Sequence, residues 1–169
     1  MRVRRVGDEA ALQPGSRVSF VREISSRFVR LTPRLTAMTL ERIDPVGLAK
    51  AETYSHVVVA TGSRLVFVAG QVAEDEGGNV VGRDDFPTQA RQAFSNLARA
   101  LAAAGVRPEQ VARLGIFVVA LREAHLPAIE AARAALFGDH KPVDTLLGVE
   151  TLAHPGCLIE VEAIAVTSG

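Results

Sequence analysis

The sequence predicts a mixed helix and strand domain, of the α/β or α+β class, and three observations lead there. Short β-branched runs bounded by Gly and Pro follow in the order strand, strand, strand, helix, strand, helix, strand, strand. The two helical stretches, near 85–104 and 125–137, space their apolar residues by three and four. The composition is apolar (48%) yet poor in aromatics (5%), so small side chains must fill the core. Two helices cover only one face of a sheet this size. The strands are too apolar for the other face to stay wet, so a homo-oligomer packing sheet on sheet is the physical expectation.

Thr39–Ile43 is the first strand candidate of the compact region, ended by Asp44-Pro45. Tyr54–Ala60 and Leu65–Gln71, split by Gly62-Ser63, read as a hairpin. Glu74–Gly82 is an acidic, Gly-rich loop or second tight turn. Asp84-Asp85 before Pro87 is a helix start, and Ala90, Ala93, Phe94, Leu97 and Leu101 form one apolar face up to the Gly105 cap. Val111–Leu121 is a strand whose Ile116–Val119 run predicts burial on both faces. The second helix turns Leu126, Ile129, Ala132 and Leu136 inward, with Arg133 at the stripe's edge reaching past it to water. Thr145–Glu150 and Leu158–Val166 close the chain.

At 169 residues with 19 basic and 19 acidic side chains, one domain with a full core is expected, and the charge balance asks for no nucleic acid or membrane. No apolar run reaches the roughly 18 residues of a membrane span. A single cysteine, Cys157, rules out an intrachain disulfide and fits a reducing cytoplasm. Residues 1–37 stand apart: eight arginines face only Asp8, Glu9 and Glu23. They read as a basic arm for RNA or a neighbouring subunit, as a short strand-bearing element around Arg17–Arg22, or as a disordered extension from an upstream start. The third reading is favoured, with the domain proper at 38–169.

The last strand carries the chemistry of interest. Alternation puts Ile159, Val161, Ala163 and Ala165 on one face and Leu158, Glu160, Glu162, Ile164 and Val166 on the other. Two carboxylates in an apolar strand are costly unless paired, so they mark an inter-subunit site, with one as general acid or base, or they sit at a sheet margin or pair with arginines. His56, His125, His140 and His154 read as surface or loop-end side chains outside any metal-ligand spacing, and Cys157 as a packed core thiol. No phosphate loop and no GxSxG are present, and no metal or organic cofactor is expected.

Tyr54-Ser55-His56-Val57, Leu65–Gln71 with its VAGQ turn, the helix around Gln89–Leu97, Gly105, Ile116-Phe117-Val118 and Leu158–Ala165 with its IEVEAIA end together resemble the RidA (YjgF) family, also called endoribonuclease L-PSP, over about Leu40 to Val166. The resemblance implies a chorismate-mutase-like α+β fold, with two helices on one face of a mixed sheet. It implies a cytoplasmic homotrimer whose sheets form a central barrel, with small-molecule clefts between subunits. In active members an arginine two residues after a proline grips the carboxylate of a 2-amino-acid enamine or imine, and water releases ammonia and a 2-keto acid. Positions matching Tyr54, Gly70 and Glu160 line that cleft.

Here Pro142-Val143 is followed by Asp144 where the arginine should stand. Aspartate repels the carboxylate that a guanidinium fork would hold, a sign change on the order of several kcal/mol in a dry cleft. Lys141 points to the opposite face and is a poor substitute, and Arg64 would need the trimer to bring it near. Three readings follow. The chain is an enzyme on an imine, enamine or related molecule without an essential carboxylate, with Glu160 catalytic, Tyr54 and Gly70 shaping the cleft and Asp144 binding a cationic or donating group. It is a trimer that binds a metabolite without turnover. Or it cleaves RNA, which the neutral domain disfavours.

Overall fold

A computed structural model describes residues 37–43, 45–48 and 52–168; the basic segment 1–36 lies outside the described residues, and so does the reading of it as an extension. The elements are β1 (Thr39–Ile43), β2 (Val57–Thr61), β3 (Arg64–Val72), α1 (Phe86–Ala103), β4 (Val111–Val119), α2 (Leu126–Phe137), β5 (Val143–Val149) and β6 (Ile159–Thr167), with 3-10 turns at Pro108–Gln110 and Glu123–His125. This is the element order the sequence predicts. The class is α+β, a mixed sheet with both helices on one face.

The four-stranded sheet runs β3-β6-β4-β5. β6 is antiparallel to both neighbours, and β4 and β5 are parallel across the α2 crossover. β1 and β2 form a separate antiparallel ribbon. The expected hairpin of β2 with β3 is therefore wrong. After the Gly62-Ser63 turn, the Ser63 amide donates to Thr167 O at 3.1 Å and β3 continues along β6, pairing from Arg64↔Thr167 to Val72↔Glu160. The nine-residue apolar strand β6 gives β3 a longer partner than five-residue β2 can.

Asp85 caps α1, its carboxylate accepting from the Thr88 amide (3.2 Å) and hydroxyl (2.6 Å), with Pro87 in the first turn. At the other end both terminal nitrogens of Arg64 donate to Ala104 O at 3.2 Å, which spends that arginine on the helix terminus. The predicted α1 stripe is the core: Ala90, Ala93, Phe94, Leu97 and Leu101 bury against Leu114, Ile116, Val118, Ile159 and Val161. Each fully buried large apolar side chain contributes roughly 1.5–3 kcal/mol.

Buried Gln89 fastens the helix to the segment before β6. Its amide nitrogen donates to Gly156 O (2.8 Å) and Gly82 O (3.3 Å), and its oxygen accepts from the Leu158 amide (2.7 Å). In β4, Ile116 and Val118 are buried but Phe117 and Val119 only half so, because helices cover one face alone. In α2 the inward set is Ile129, Ala132, Arg133 and Phe137, while Leu126 is 38% exposed. His140, in the loop between α2 and β5, is buried rather than at the surface. Its Nδ1 accepts from Arg42 (2.8 Å), so Nε2 carries the proton and donates to Val111 O (2.7 Å), which fastens the β1–β2 ribbon to the body.

Candidate functional site

Two extra residues shape the face away from the helices. From Val68↔Ala163 to Gln71↔Val161 β3 uses three steps against two, and from Val111↔Ala165 to Arg113↔Ile164 β4 uses two against one. Each bulge switches the side-chain parity of its strand. Gly70 and Arg113 are thereby turned to the same face as Glu160 and Glu162. A Cβ on Gly70 would collide with the Glu160 carboxylate, and one on Gly115 would lie 2.7–2.8 Å from Glu162 Cγ and Oε1. The two glutamates thus lie over glycines of the two flanking strands.

The alternation read in β6 holds: Ile159, Val161, Ala163 and Ala165 are buried, and the glutamates lie on the half-open side. Glu162 pairs with Arg113 at 3.0 Å. Among the described residues no hydrogen bond or ion pair reaches the Glu160 carboxylate. Beside Gly70 opens a cleft of about 550 Å³, lined by Gln71, Val72, Glu74, Asp75, Glu76, Asn96 and Arg99. Its charged lining is three carboxylates against the one guanidinium of Arg99. The turn Asp75–Asn79 holds its own carboxylate: Asp75 accepts from the amides of Gly77 and Asn79 at 2.9 Å, and these bonds, the Asn79 amide first, lower its pKa.

Asp144 faces the helices. It is register partner to buried Leu114 and forms an ion pair with Arg133 of α2, the side chains being 9% and 6% exposed. Arg133 also donates to Thr53 O, while its Nε is buried without a partner among the described residues. Burial lowers the Arg133 pKa, against the opposing pull of Glu130. The expectation that Arg133 reaches water is corrected: a carboxylate inside the helix–sheet layer draws the guanidinium inward. Tyr54, 37% exposed and edge-on to His56 at 5.4 Å, adjoins the same end of the sheet. Its neighbour Ser55 donates from its amide to Pro142 O (3.3 Å) and from its hydroxyl to Lys141 O (2.6 Å). Within one chain, then, Gly70 and Glu160 come together. Asp144 lies on the opposite face of the sheet, and Tyr54 is fastened near the start of β5.

One cluster escaped the sequence reading. His154 Nε2 lies 3.0 Å from Glu74 Oε1, and its Nδ1 lies 3.7 Å from Cys157 Sγ. The signal was the spacing His154-Pro155-Gly156-Cys157, with Gly156 at φ +90° closing the turn. Glu74, 80 residues away, could not be paired with it from sequence. Burial, then the Glu74 carboxylate, push the Cys157 thiol pKa up.

A mixed sheet with two helices on one face and a glutamate-bearing open face defines a chorismate-mutase-like α+β protein. The chain belongs to the endoribonuclease L-PSP family, also called RidA or YjgF, whose family model matches residues 46–167. It is 35% identical to the Rid family protein YyfB from Yersinia pestis, with a TM-score of 0.71, over 75% of this chain and 98% of that one. It is 31% identical to Rv2704 of Mycobacterium tuberculosis, a YjgF/YER057c/UK114 family member, with a TM-score of 0.52, over 68% and 86% of the two chains. A RutC family protein of Pyrococcus horikoshii is 29% identical over 112 residues, covering 66% of this chain and 85% of that protein. Among the described residues no helix is long and apolar enough to cross a membrane.

Proposed function

We propose that the chain acts in the cytoplasm as a homotrimer whose subunit clefts take a small metabolite with a cationic or hydrogen-bond-donating group and no essential carboxylate. The observation that carries this is the free Glu160 carboxylate over Gly70, beside an acidic cleft. A carboxylate-bearing imine would enter against Glu74, Asp75 and Glu76, with Arg99 as the cleft's one cation among the described lining residues. In this reading Glu160 protonates or positions an imine or enamine, and Gly70 keeps its carboxylate lodged by having no side chain. Tyr54 of a neighbouring subunit shapes the far wall. Asp144 acts on the ligand only indirectly, by holding Arg133 and the Thr53–Tyr54 segment.

The trimer is supported by the open face of the sheet, where Leu65 (61%), Phe67 (71%) and Leu147 (48%) are exposed around the Arg113–Glu162 pair. Trimer formation is read by analytical ultracentrifugation, with Phe67→Lys expected to yield monomer.

Catalysis is tested by ammonia release from freshly generated 2-aminoacrylate and from an imine lacking a carboxylate. Turnover of the second, lost in Glu160→Gln, is expected. Rapid turnover of 2-aminoacrylate would refute the view that this cleft has no carboxylate anchor. A ligand that raises Tm but is recovered unchanged would instead make the chain a metabolite-binding trimer.

A further inference from the structure

We propose that Glu74, His154 and Cys157 form a binding site for one borderline-soft divalent cation of the Zn²⁺ type, at the rim of the acidic cleft. This goes beyond the metabolite-binding reading and does not depend on it. The three side chains offer one oxygen, one nitrogen and one sulfur, all within 4.8 Å of one another. That set matches Zn²⁺, which binds carboxylate, imidazole and thiolate at about 2.0–2.3 Å; a tetrahedron of such bonds has edges of about 3.3–3.8 Å. Closing the set onto one ion takes a shift of about 1 Å. The two side chains that must move are the freer ones, His154 at 40% exposure and Glu74 at 28%.

The backbone around the cluster is held in place. The Cys157 amide donates to His154 O (3.2 Å), closing the turn, and Gln89 of α1 grips Gly156 and Leu158 on either side of the thiol. The Glu74 carbonyl accepts from Asn96 (2.9 Å) and Gln92 (3.2 Å) of the same helix. One helix thus positions both halves of the site, as a preorganised ligand set requires. Buried Cys157 brings the thiolate ligand, Glu74 opens to the cleft, and Glu160 adds negative charge nearby while Arg83 opposes it.

Burial and the Glu74 carboxylate raise the Cys157 pKa and so oppose a nucleophilic role, whereas a divalent ion is attracted by the same carboxylate. Binding replaces the thiol proton: Cys–SH and M²⁺ give Cys–S⁻–M²⁺ and one proton released to solvent. Three protein ligands leave the fourth tetrahedral position to water.

The experiment uses the full-length chain, stripped with a chelator and titrated with Co²⁺ and, in competition with a chromogenic chelator, with Zn²⁺. One equivalent per chain is expected, with tetrahedral d–d bands, a thiolate-to-cobalt charge-transfer band and one proton released. Cys157→Ser should abolish the charge-transfer band, and His154→Ala and Glu74→Gln should each weaken Zn²⁺ at least tenfold. Because Cys157 is buried, Glu74→Gln, at the cleft rim, is the variant least able to fail by misfolding, and circular dichroism checks each fold. Binding without a thiolate band, binding unchanged in Glu74→Gln and His154→Ala, or no binding at micromolar metal would each overturn the proposal.

Discussion

Removing Asp144 should damage the fold far more than its place on an outer strand suggests. Asp144→Ala leaves the Arg133 guanidinium inside the helix–sheet layer, with the Thr53 carbonyl as its remaining partner among the described residues and its Nε already orphaned. Breaking one side of a buried ion pair costs about 3–5 kcal/mol, because a desolvated charge is left behind. At roughly 2–4 °C of Tm per kcal/mol for a chain of this size, the loss is about 6–20 °C. Replacing both partners, Arg133→Met with Asp144→Leu, should return stability to within about 1 kcal/mol of the parent, since matched apolar groups substitute for a buried pair at little cost. Asp144→Arg should be worse than Asp144→Ala, as it sets two guanidinium groups against each other, and adding Arg133→Met should rescue it to about the Asp144→Ala level, where one unpaired guanidinium remains. The assay is urea unfolding of all five proteins at one fixed protomer concentration, since oligomer stability depends on concentration. Asp144→Ala within about 0.5 kcal/mol of the parent, or an unrescued Asp144→Arg, would refute the reasoning.

Gln89→Leu strips bonds from Gly82 O, Gly156 O and the Leu158 amide; at about 1–3 kcal/mol for each buried group left unmet, a loss of at least about 3 kcal/mol is expected in urea unfolding. Gly70→Ala should evict the Glu160 side chain at a cost of about 1–3 kcal/mol and weaken ligand binding by calorimetry, without altering circular dichroism. His140 should make stability fall in mild acid. Burial, then the Val111 carbonyl's opposing pull, the Arg42 charge and the Glu109 charge set its balance, with a net pKa below 6.5. The unfolded chain therefore takes up the proton first. The stability His140 contributes is full above pH 6.5 and is lost as pH falls through its lower folded value. Tm measured from about pH 7 to 5 should drop, and His140→Gln, with Arg42, Glu109 and Asp139 left in place around it, should flatten the slope.

Periodicity carried the element order and the α1 stripe because each depends on neighbours three or four residues apart. It also separated the faces of β6, where burial alternates from Ile159 to Ala165 before Val166 and Thr167 are both buried. It could not show the bulges in β3 and β4, where one extra residue reverses which side chains face out; Ala69-Gly70 and Ala112 look like ordinary strand residues. Nor could it tell that the Gly62-Ser63 turn leads β3 to β6 rather than back to β2, because strand pairing is decided by distant partners. Arg133 was misplaced for a related reason. Helical spacing put it at the stripe's edge, and only Asp144, 11 residues on, shows why it turns in. Of the candidate site, Gly70 and Glu160 were legible through the family pattern, whereas the meeting of Glu74 with His154 and Cys157 depends on the tertiary fold.

The place of β6 also constrains the order in which the chain can fold. The last of the described strands lies between β3 and β4, and pairs with both. During synthesis, β4, β5 and their helices emerge with one edge of β4 open, while β3 waits without a partner in that sheet. The sheet closes only when 159–167 leave the ribosome, and closing it joins residues about 100 positions apart. Until then Phe67 and Phe117 flank an unfilled slot in which another molecule's strand could pair. A nascent chain stalled before Ile159 would be a bait for aggregation, and the emergence of β6 is what removes it.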